Sequence, residues 1–264
     1  MRVIAIVNQK GGVGKTTTCV NLAACLADRK KHVLLIDLDA QGNSGSGLGI
    51  DKKSVEKSIY DVLIRQQPLT EVMVKEQRKH LDVVPSTIDL AGAEVELSTT
   101  AERELCLRKA INELKEKAEE DENYKYDFVL IDCPPSLSLL TINALAAADS
   151  LLIPIQAEYY ALEGVSQLLR TVELVRAALN PKLHIFGVLL TMYDSRTQLS
   201  NQVYEEVQNF FQEKLFHTVI PRNVRLSEAP SYGKSIVEYA WLSKGAAAYS
   251  NLAKEVLKRA GMKR

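Results

Sequence analysis

The chain has 264 residues, 46% hydrophobic and 25% charged, with equal numbers of basic and acidic side chains and a formal net charge of zero. This is the composition of a globular protein, and it excludes a disordered chain and any overall electrostatic attraction for nucleic acid. No apolar stretch approaches the roughly 18 residues of a membrane-spanning helix. No signal peptide precedes the first strand, so we expect one domain over residues 1–264 and a cytoplasmic protein.

The first predicted elements are a strand, Val3–Val7, a glycine-rich turn and a helix over residues 15–28. The turn reads Lys10-Gly11-Gly12-Val13-Gly14-Lys15-Thr16-Thr17. Glycines let a backbone turn tightly and point its N–H groups at phosphate oxygens, and the helix adds its positive N-terminal end. In such a loop, Lys15 neutralises the β- and γ-phosphates and the Thr16 hydroxyl binds Mg²⁺. We therefore predict a nucleotide-binding loop.

The loop departs from the ordinary P-loop pattern at two positions. Gln9 stands where the first glycine is usual, and a second lysine, Lys10, comes too early to act on the same phosphates as Lys15. The form KGGVGKT resembles the deviant Walker motif. In that motif the extra lysine reaches across a dimer interface to the nucleotide of the partner subunit.

Acidic residues follow two later apolar runs. Asp37 and Asp39 follow Val33–Ile36, and Asp132 follows Phe128–Ile131. Ligands of open α/β sheets bind at the carboxyl ends of the strands, so Asp132 occupies the position of a Walker B acid that holds Mg²⁺ through a water. Residues at i and i+2 of an extended segment share a side, so this spacing allows both Asp37 and Asp39 to face the phosphates.

The remaining elements alternate between strands and helices. Further continuous apolar runs are Leu151–Ile153 and Ile185–Leu190, and helical patterns cover residues 101–122, 162–179 and 246–260. Continuous apolar runs are typical of strands buried on both faces. The sequence therefore predicts an α/β fold with a single doubly wound, mostly parallel sheet and helices on both faces.

The cysteines are interpreted as structural residues. No C-x-x-C pair occurs among Cys19, Cys25, Cys106 and Cys133, and the histidines are equally scattered. Cys133 next to Asp132 has no paired ligand, which argues against an electron-transfer or cluster-carrier ATPase. We expect no metal other than nucleotide-bound Mg²⁺.

Five segments carry a resemblance to a known family, and they occur in the family's order. They are Lys10–Thr17, Asp37–Asn43, Leu130–Ser136, Glu158–Gly164 and Ile220–Pro230. The chain resembles the ParA-type partitioning ATPases of the deviant Walker A (ParA/MinD) superfamily, near the short chromosomal Soj proteins, over essentially residues 1–260. Ala40 departs from the family, which commonly has proline there. The N-terminal helix-turn-helix extension of longer plasmid relatives is also missing, so we do not expect autorepression.

The resemblance implies a P-loop ATPase with ATP and Mg²⁺ as cofactors. Two protomers would sandwich two ATP molecules, with each Lys10 touching the phosphates of the other subunit. Lys15 and the backbone from Gly11, Gly12, Val13 and Gly14 to Thr17 would hold the phosphates. Thr16 and Asp132 would hold Mg²⁺, and Asp39 would orient the attacking water, with slow turnover in the absence of a partner.

The C-terminal third supplies the remaining candidates. The segment Pro221–Pro230 is predicted to be loop-like, and the resemblance places Pro221 and Asn223 near the adenine. Arg196 and Arg225 resemble the family's DNA-contacting arginines, which contact phosphates without sequence preference. Residues 182–264 carry 12 basic against 7 acidic side chains, a net charge of +5, which suits a local nucleic-acid face.

The resemblance also implies the partners. These are non-specific double-stranded DNA, a second copy of the chain in an ATP-dependent homodimer, and a ParB-type centromere-binding protein that triggers hydrolysis, on a nucleoid-associated protein. A role in replication initiation through DnaA stays open. The alternative is a MinD-like membrane-cycling regulator, which needs an amphipathic C-terminal anchor. Residues 249–264 instead favour a helix docked on the domain, and we expect no membrane binding.

Overall fold

The protein is described by a computed structural model over residues 1–159 and 161–262. Tyr160, which belongs to one of the resemblance segments, lies outside the described residues, as do Lys263 and Arg264 of the C-terminal segment. The strands are β1 (Arg2–Ile6), β2 (Val33–Asp37), β3 (Val74–Arg78), β4 (Leu81–Val84), β5 (Phe128–Asp132), β6 (Ser150–Gln156) and β7 (His184–Thr191). The helices are α1 (Lys15–Ala27), α2 (Asn43–Gly47), α3 (Ile59–Arg65), α4 (Leu69–Val72), α5 (Leu90–Leu97), α6 (Cys106–Glu120), α7 (Leu139–Ala147), α8 (Glu163–Ala178), α9 (Gln198–Phe211), α10 (Val224–Glu228), α11 (Ile236–Tyr239) and α12 (Lys244–Arg259).

The strands form one sheet in the order β3-β4-β2-β5-β1-β6-β7. Every neighbouring pair is parallel except β3 and β4, which are antiparallel at one edge. The predicted mostly parallel sheet is therefore confirmed. The central position of β1, between β5 and β6, brings the end of β1 next to the ends of the strands that carry the acidic residues.

Each face of the sheet is covered by its own hydrophobic core. Alternate residues of β1 divide between the two faces, so Val3 and Ala5 join one core whereas Ile4 and Ile6 join the other. The first core packs against α3 to α9, and the second packs against α1 and α12. This arrangement of helices on both faces is the doubly wound architecture that the sequence predicts.

Two predicted elements differ from the structure. The charge-rich helix predicted over residues 101–122 begins only at Cys106, because Arg103–Leu105 forms a separate 3-10 turn. The prediction of a loop over Pro221–Pro230 is wrong, since this segment contains α10 and the start of a 3-10 helix, Ala229–Tyr232. The Asn223 side chain caps α10 by accepting a hydrogen bond from the Arg225 N–H at 2.9 Å.

The C-terminal helix α12 is docked on the domain. Its apolar residues Tyr249, Leu252, Val256 and Leu257 are buried against α1, in the second core. The Tyr249 hydroxyl also lies 3.2 Å from the Thr18 hydroxyl of α1. The apolar face of this helix therefore contacts protein. Within the described residues, none of the helices combines the length and the hydropathy that crossing a bilayer requires.

Candidate nucleotide-binding site

The glycine-rich loop connects the central strand β1 to α1 and is shaped to hold an anion. Gly12 and Gly14 have φ angles of 75° and 87°, in the left-handed region that favours glycine. Gly14 is the residue before α1 and supplies no side-chain cap to the helix. The first N–H groups of α1 are therefore available to a phosphate, together with the positive end of the helix.

The two lysines of the loop have different surroundings. Lys15 is 6% exposed, and its ammonium donates a hydrogen bond to the Lys10 carbonyl at 3.0 Å. Burial lowers the pKa of Lys15, while the charges of Asp132 and Asp39 act to raise it. Lys10 is exposed and forms an ion pair with Glu158 in the loop after β6. Lys15 thus interacts with the charges of Asp39 and Asp132, whereas Lys10 is paired with Glu158.

Asp37 and Asp132 are buried register partners at the carboxyl ends of β2 and β5. The Ser44 side chain of α2 donates to Asp132 Oδ2 at 2.8 Å, and the Ser44 backbone N–H donates to Asp37 Oδ2 at 2.8 Å. Burial, followed by the charge of Asp132, raises the pKa of Asp37 to about 8. Burial also raises the pKa of Asp132 to about 6, although hydrogen bonds from Thr16 and Ser44 oppose this change.

The structure separates Asp37 from Asp39, although the i, i+2 spacing allows both to face the phosphates. The strand ends at Asp37, whose carboxylate turns inward and accepts hydrogen bonds from the backbone N–H groups of Asp39, Ser44 and Gly45. Asp39 is half-buried and begins a turn, where its carboxylate accepts from the Gln41 N–H at 2.9 Å. The extended alternation that links i and i+2 stops before Asp39, so Asp39 is the acid available to a bound ligand.

The side chains at this point fit a magnesium ion. Asp132 Oδ1 is buried and lacks a hydrogen-bond partner among the described residues, whereas Oδ2 is occupied by Ser44. A buried carboxylate oxygen without a partner is costly unless something else satisfies it. The Thr16 side chain contacts the same carboxylate. A hydroxyl and a carboxylate are oxygen donors of the kind that Mg²⁺ binds in nucleotide sites.

A cavity of about 410 Å³ opens beside the loop. Gly14 and Thr17 line it on one side, and Pro221, Asn223 and Pro230 line it on the other. A volume of a few hundred Å³ with a mainly apolar wall is typical of a ligand pocket. The structure thus brings Pro221 and Asn223 to the nucleotide loop, as the resemblance implies, although on a helical segment rather than a loop.

The two candidate DNA-contacting arginines lie outside this cavity. Arg196 lines a groove of about 880 Å³ with Arg222 and Lys244, and its guanidinium forms two bonds of 2.9 and 2.7 Å to Asp194. Arg225 on α10 pairs with Glu228 at 2.9 Å and does not line that groove. The structure therefore leaves both arginines on the surface and does not bring them into one cavity.

Sequence reasoning missed two residues of the site. Ser44 bonds to both buried carboxylates, and Thr191 at the end of β7 donates to the Val13 carbonyl of the glycine-rich loop at 2.9 Å. Ser44 and Asp132 are 88 positions apart, and Thr191 and Val13 are 178 positions apart. Neither residue belongs to a local motif, so only the strand order could have identified it.

The cysteines behave as structural residues. Cys19, Cys25 and Cys133 are buried, and burial raises the pKa of each thiol. A raised pKa keeps a thiol protonated, which disfavours both nucleophilic chemistry and metal binding. Among the described residues, no group of three or more His, Cys, Asp or Glu side chains is arranged to hold a metal ion.

Comparison with known proteins identifies close relatives. Residues 1–185 match a family of AAA domains. The chain is 57% identical to the sporulation initiation inhibitor protein Soj of Bacillus subtilis, over 97% of this chain and 98% of that protein. It is 52% identical to the chromosome partitioning protein ParA of Myxococcus xanthus, over 98% of this chain and 88% of the relative.

Solved structures share the fold. A cobyrinic acid a,c-diamide synthase from Mycobacterium smegmatis, with a bound ATP analogue and magnesium, superimposes with a TM-score of 0.83 at 37% identity, over 100% of this chain and 97% of that one. The cell division ATPase MinD of Pyrococcus furiosus gives a TM-score of 0.76 at 29% identity, over 97% and 98%. The predicted resemblance and fold are confirmed: the chain belongs to the AAA domain family and, within it, to the Soj/ParA chromosome-partitioning proteins.

Proposed function

We propose that the chain is an ATP-dependent DNA-partitioning ATPase that acts as one P-loop domain. The observation that supports this most directly is the meeting of Lys15, Asp39 and Asp132 beside a loop that ends at the free N-terminus of α1. An anion cradle, a metal-holding acid and an acid to orient water are the parts that phosphoryl transfer to water requires.

In this proposal each residue has one task. Lys15 and the first N–H groups of α1 bind the phosphates, and Thr16 and Asp132 hold Mg²⁺, which neutralises charge that develops on the phosphate oxygens. Asp39 accepts a hydrogen bond from the attacking water and orients it. The hydrophobic cavity next to Gly14 receives the adenine against Pro221, and Asn223 offers its amide to the base.

Lys10 acts across a dimer interface in this proposal. Within one protomer it pairs with Glu158, with 43% of its side chain exposed. An exposed ion pair contributes roughly 0–1 kcal/mol, so exchanging Glu158 for a partner's phosphate costs little. Two protomers then sandwich two ATP molecules, and the dimer forms only when ATP is bound.

A substitution at Gly11 tests whether the glycine-rich loops of two protomers approach each other closely. Within the protomer, a Cβ atom at Gly11 meets only Pro135 Cβ, at 3.9 Å, an ordinary van der Waals contact, and Gly11 is exposed. We expect Gly11→Val to bind ATP with wild-type affinity and to weaken the ATP-dependent dimer about tenfold or more, because overpacking an interface costs about 1–3 kcal/mol. Light scattering with ATP measures the mass; a full dimer in the variant would contradict the sandwich.

The dimer binds DNA without sequence preference in this proposal. Arg196 and Arg225 contact phosphates, and a ParB-type partner stimulates hydrolysis and releases the protein from the nucleoid. The segments that carry the two arginines are joined by backbone bonds, from the Tyr193 N–H to the Ile220 carbonyl at 3.0 Å and from the Arg222 N–H to the Tyr193 carbonyl at 3.2 Å. They move together.

The test is binding to an unrelated duplex DNA without nucleotide, with ADP and with ATP. We expect ATP-dependent binding that weakens steeply with salt. The affinity of Arg225→Glu for DNA should be at least tenfold lower, because the reversed charge repels the phosphates. Each phosphate that the protein no longer neutralises should also reduce the slope of log K against log salt by about 0.9. Arg176→Glu on α8, an exposed arginine on the other face of the sheet, is the matched control and should bind as the wild type does. Nucleotide binding without DNA binding in any state would overturn the proposal.

A further inference from the structure

Ser44 joins the two buried carboxylates of the site. It lies in α2, is fully buried, and uses both of its hydrogen-bond donors on them, with its N–H on Asp37 and its hydroxyl on Asp132 at 2.8 Å each. A serine in a short helix more often bonds to a carbonyl of its own helix. Ser46 does this two residues later, where its hydroxyl donates to the Gly42 carbonyl at 3.1 Å.

The bond to Asp132 determines which carboxylate oxygen remains open. Ser44 occupies Oδ2, whereas Oδ1 is buried and has no partner among the described residues. A carboxylate held at one oxygen cannot rotate freely, so its other oxygen keeps a fixed direction. Residues that orient a metal-holding carboxylate in this way commonly tune its affinity for the ion.

Ser44 is also fixed to the turn that carries Asp39. Asp37 accepts hydrogen bonds from the N–H groups of Asp39 at 3.1 Å, Ser44 at 2.8 Å and Gly45 at 3.3 Å, so one buried carboxylate holds both ends of the segment 39–45. The Gly42 N–H closes the turn on the Asp39 carbonyl at 2.9 Å. A displacement at Ser44 is therefore transmitted to Asp39.

We propose that Ser44 is a positioning residue that couples the Mg²⁺-holding carboxylate Asp132 to the turn carrying Asp39. This inference rests on the proposed ATPase function. Without the Ser44 hydroxyl, Asp132 loses the bond that fixes its Oδ2, and the turn loses its only side-chain bond to β5 among those that the described residues form. Magnesium is then held less well, and Asp39 no longer keeps a fixed distance from Asp132.

The experiment compares Ser44→Ala with Ser46→Ala and Ser44→Thr. Two quantities are measured, namely the factor by which Mg²⁺ increases ADP affinity and the rate of single-turnover ATP hydrolysis. For Ser44→Ala we expect the magnesium factor to fall about tenfold, as is usual for residues that support metal ligands, and hydrolysis to fall at least tenfold. Ser46→Ala removes a hydroxyl from the same helix and should match the wild type in both.

Ser44→Thr separates the effect of the hydroxyl from the effect of side-chain packing. It keeps the donor and adds one methyl group, so it should retain the magnesium factor even if it lowers the melting temperature. Exchange of the amide hydrogens of residues 39–45 in the nucleotide-free protein should accelerate in Ser44→Ala and not in Ser46→Ala. This second readout requires no ATPase activity.

The outcomes distinguish the inference from the function on which it rests. A wild-type protein that neither binds nor hydrolyses ATP overturns the proposed function, and the amide exchange still tests the contact itself. An active wild type with a Ser44→Ala variant that has the same magnesium factor and the same hydrolysis rate overturns the positioning role. A loss of hydrolysis in Ser44→Ala with an unchanged magnesium factor also overturns the coupling, since it leaves Asp132 undisturbed.

Discussion

Asp39→Ala is expected to bind ATP and Mg²⁺ at wild-type affinity, to form the ATP-dependent dimer, and to lose hydrolysis by a factor of about 10² to 10⁴, the usual contribution of a positioned acid–base group. Asp39 lies just after the end of β2 and is half-buried, and its carboxylate accepts a hydrogen bond from the N–H of the exposed residue Gln41. The charge of Asp39 acts to raise the pKa of Lys15, the residue that binds the phosphates in the proposed mechanism. Single-turnover hydrolysis and equilibrium ATP binding are the two measurements.

The control for Asp39→Ala has to separate charge from turn geometry. The Asp39 carboxylate accepts a hydrogen bond from the Gln41 N–H, so alanine removes a turn cap as well as a charge. Asp39→Asn keeps an acceptor for that bond and should lose hydrolysis nearly as much. Asp51→Ala removes an equivalent cap, on the Lys53 N–H at 3.0 Å, and should hydrolyse ATP normally. Wild-type turnover in Asp39→Ala would remove this residue from the mechanism.

Most of the buried strands were predictable because burial on both faces leaves a continuous apolar run. Continuous apolar runs occur in β1, β2, β5, β6 and β7, and each of these runs lies inside the observed strand or overlaps most of it. The edge strand β3 was not predictable in the same way. It reads Val-Lys-Glu-Gln-Arg and is partly exposed throughout, so it has neither a continuous run nor a clean alternation.

The site was predictable where a motif is local and not where it depends on the ends of separate strands. The loop from Lys10 to Thr17 carries its own signal, as does an acid that directly follows a strand. The exact end of β2 at Asp37 decides which acid turns inward, and strand ends are the least reliable part of a prediction. The prolines of Pro221–Pro230 suggested a loop, but Pro230 lies in the first turn of a 3-10 helix, where its missing N–H costs nothing.

Asp132→Asn is expected to raise the stability of the ligand-free protein at pH 8 while it abolishes most of the effect of Mg²⁺ on nucleotide binding. Asp37 and Asp132 are buried neighbours, and their pKa values are raised to about 8 and about 6. In the unfolded chain both carboxylates have a pKa near 4. Between about pH 4 and pH 8 the folded state therefore binds more protons than the unfolded state. The stability that this pair contributes is complete below about pH 4 and is lost as the pH rises through about 6 to 8.

The asparagine keeps an oxygen to accept the Ser44 hydroxyl, and it removes one of the two like charges. We expect a gain of about 1–3 kcal/mol at pH 8, because each pKa unit corresponds to about 1.4 kcal/mol. For a chain of this length that raises the melting temperature by about 2–4 °C per kcal/mol. The gain should shrink toward pH 5, where the wild-type pair is protonated. Melting curves of the ligand-free protein across this range measure it.

A second buried acid supplies the contrast for Asp132→Asn. Asp82 is also buried, but it forms an ion pair with Lys75 at 3.0 Å and accepts a hydrogen bond from the Tyr126 hydroxyl. Asp82→Asn leaves Lys75 without its anion and should lower the melting temperature throughout the range from pH 5 to pH 8. If Asp132→Asn is also less stable than the wild type at pH 8, the two site carboxylates do not repel each other. If Asp132→Asn is instead more stable and loses magnesium binding, the wild-type carboxylate lowers the stability of the ligand-free protein in exchange for holding the ion. Binding of Mg²⁺ and nucleotide would then contribute to stability as well as to catalysis.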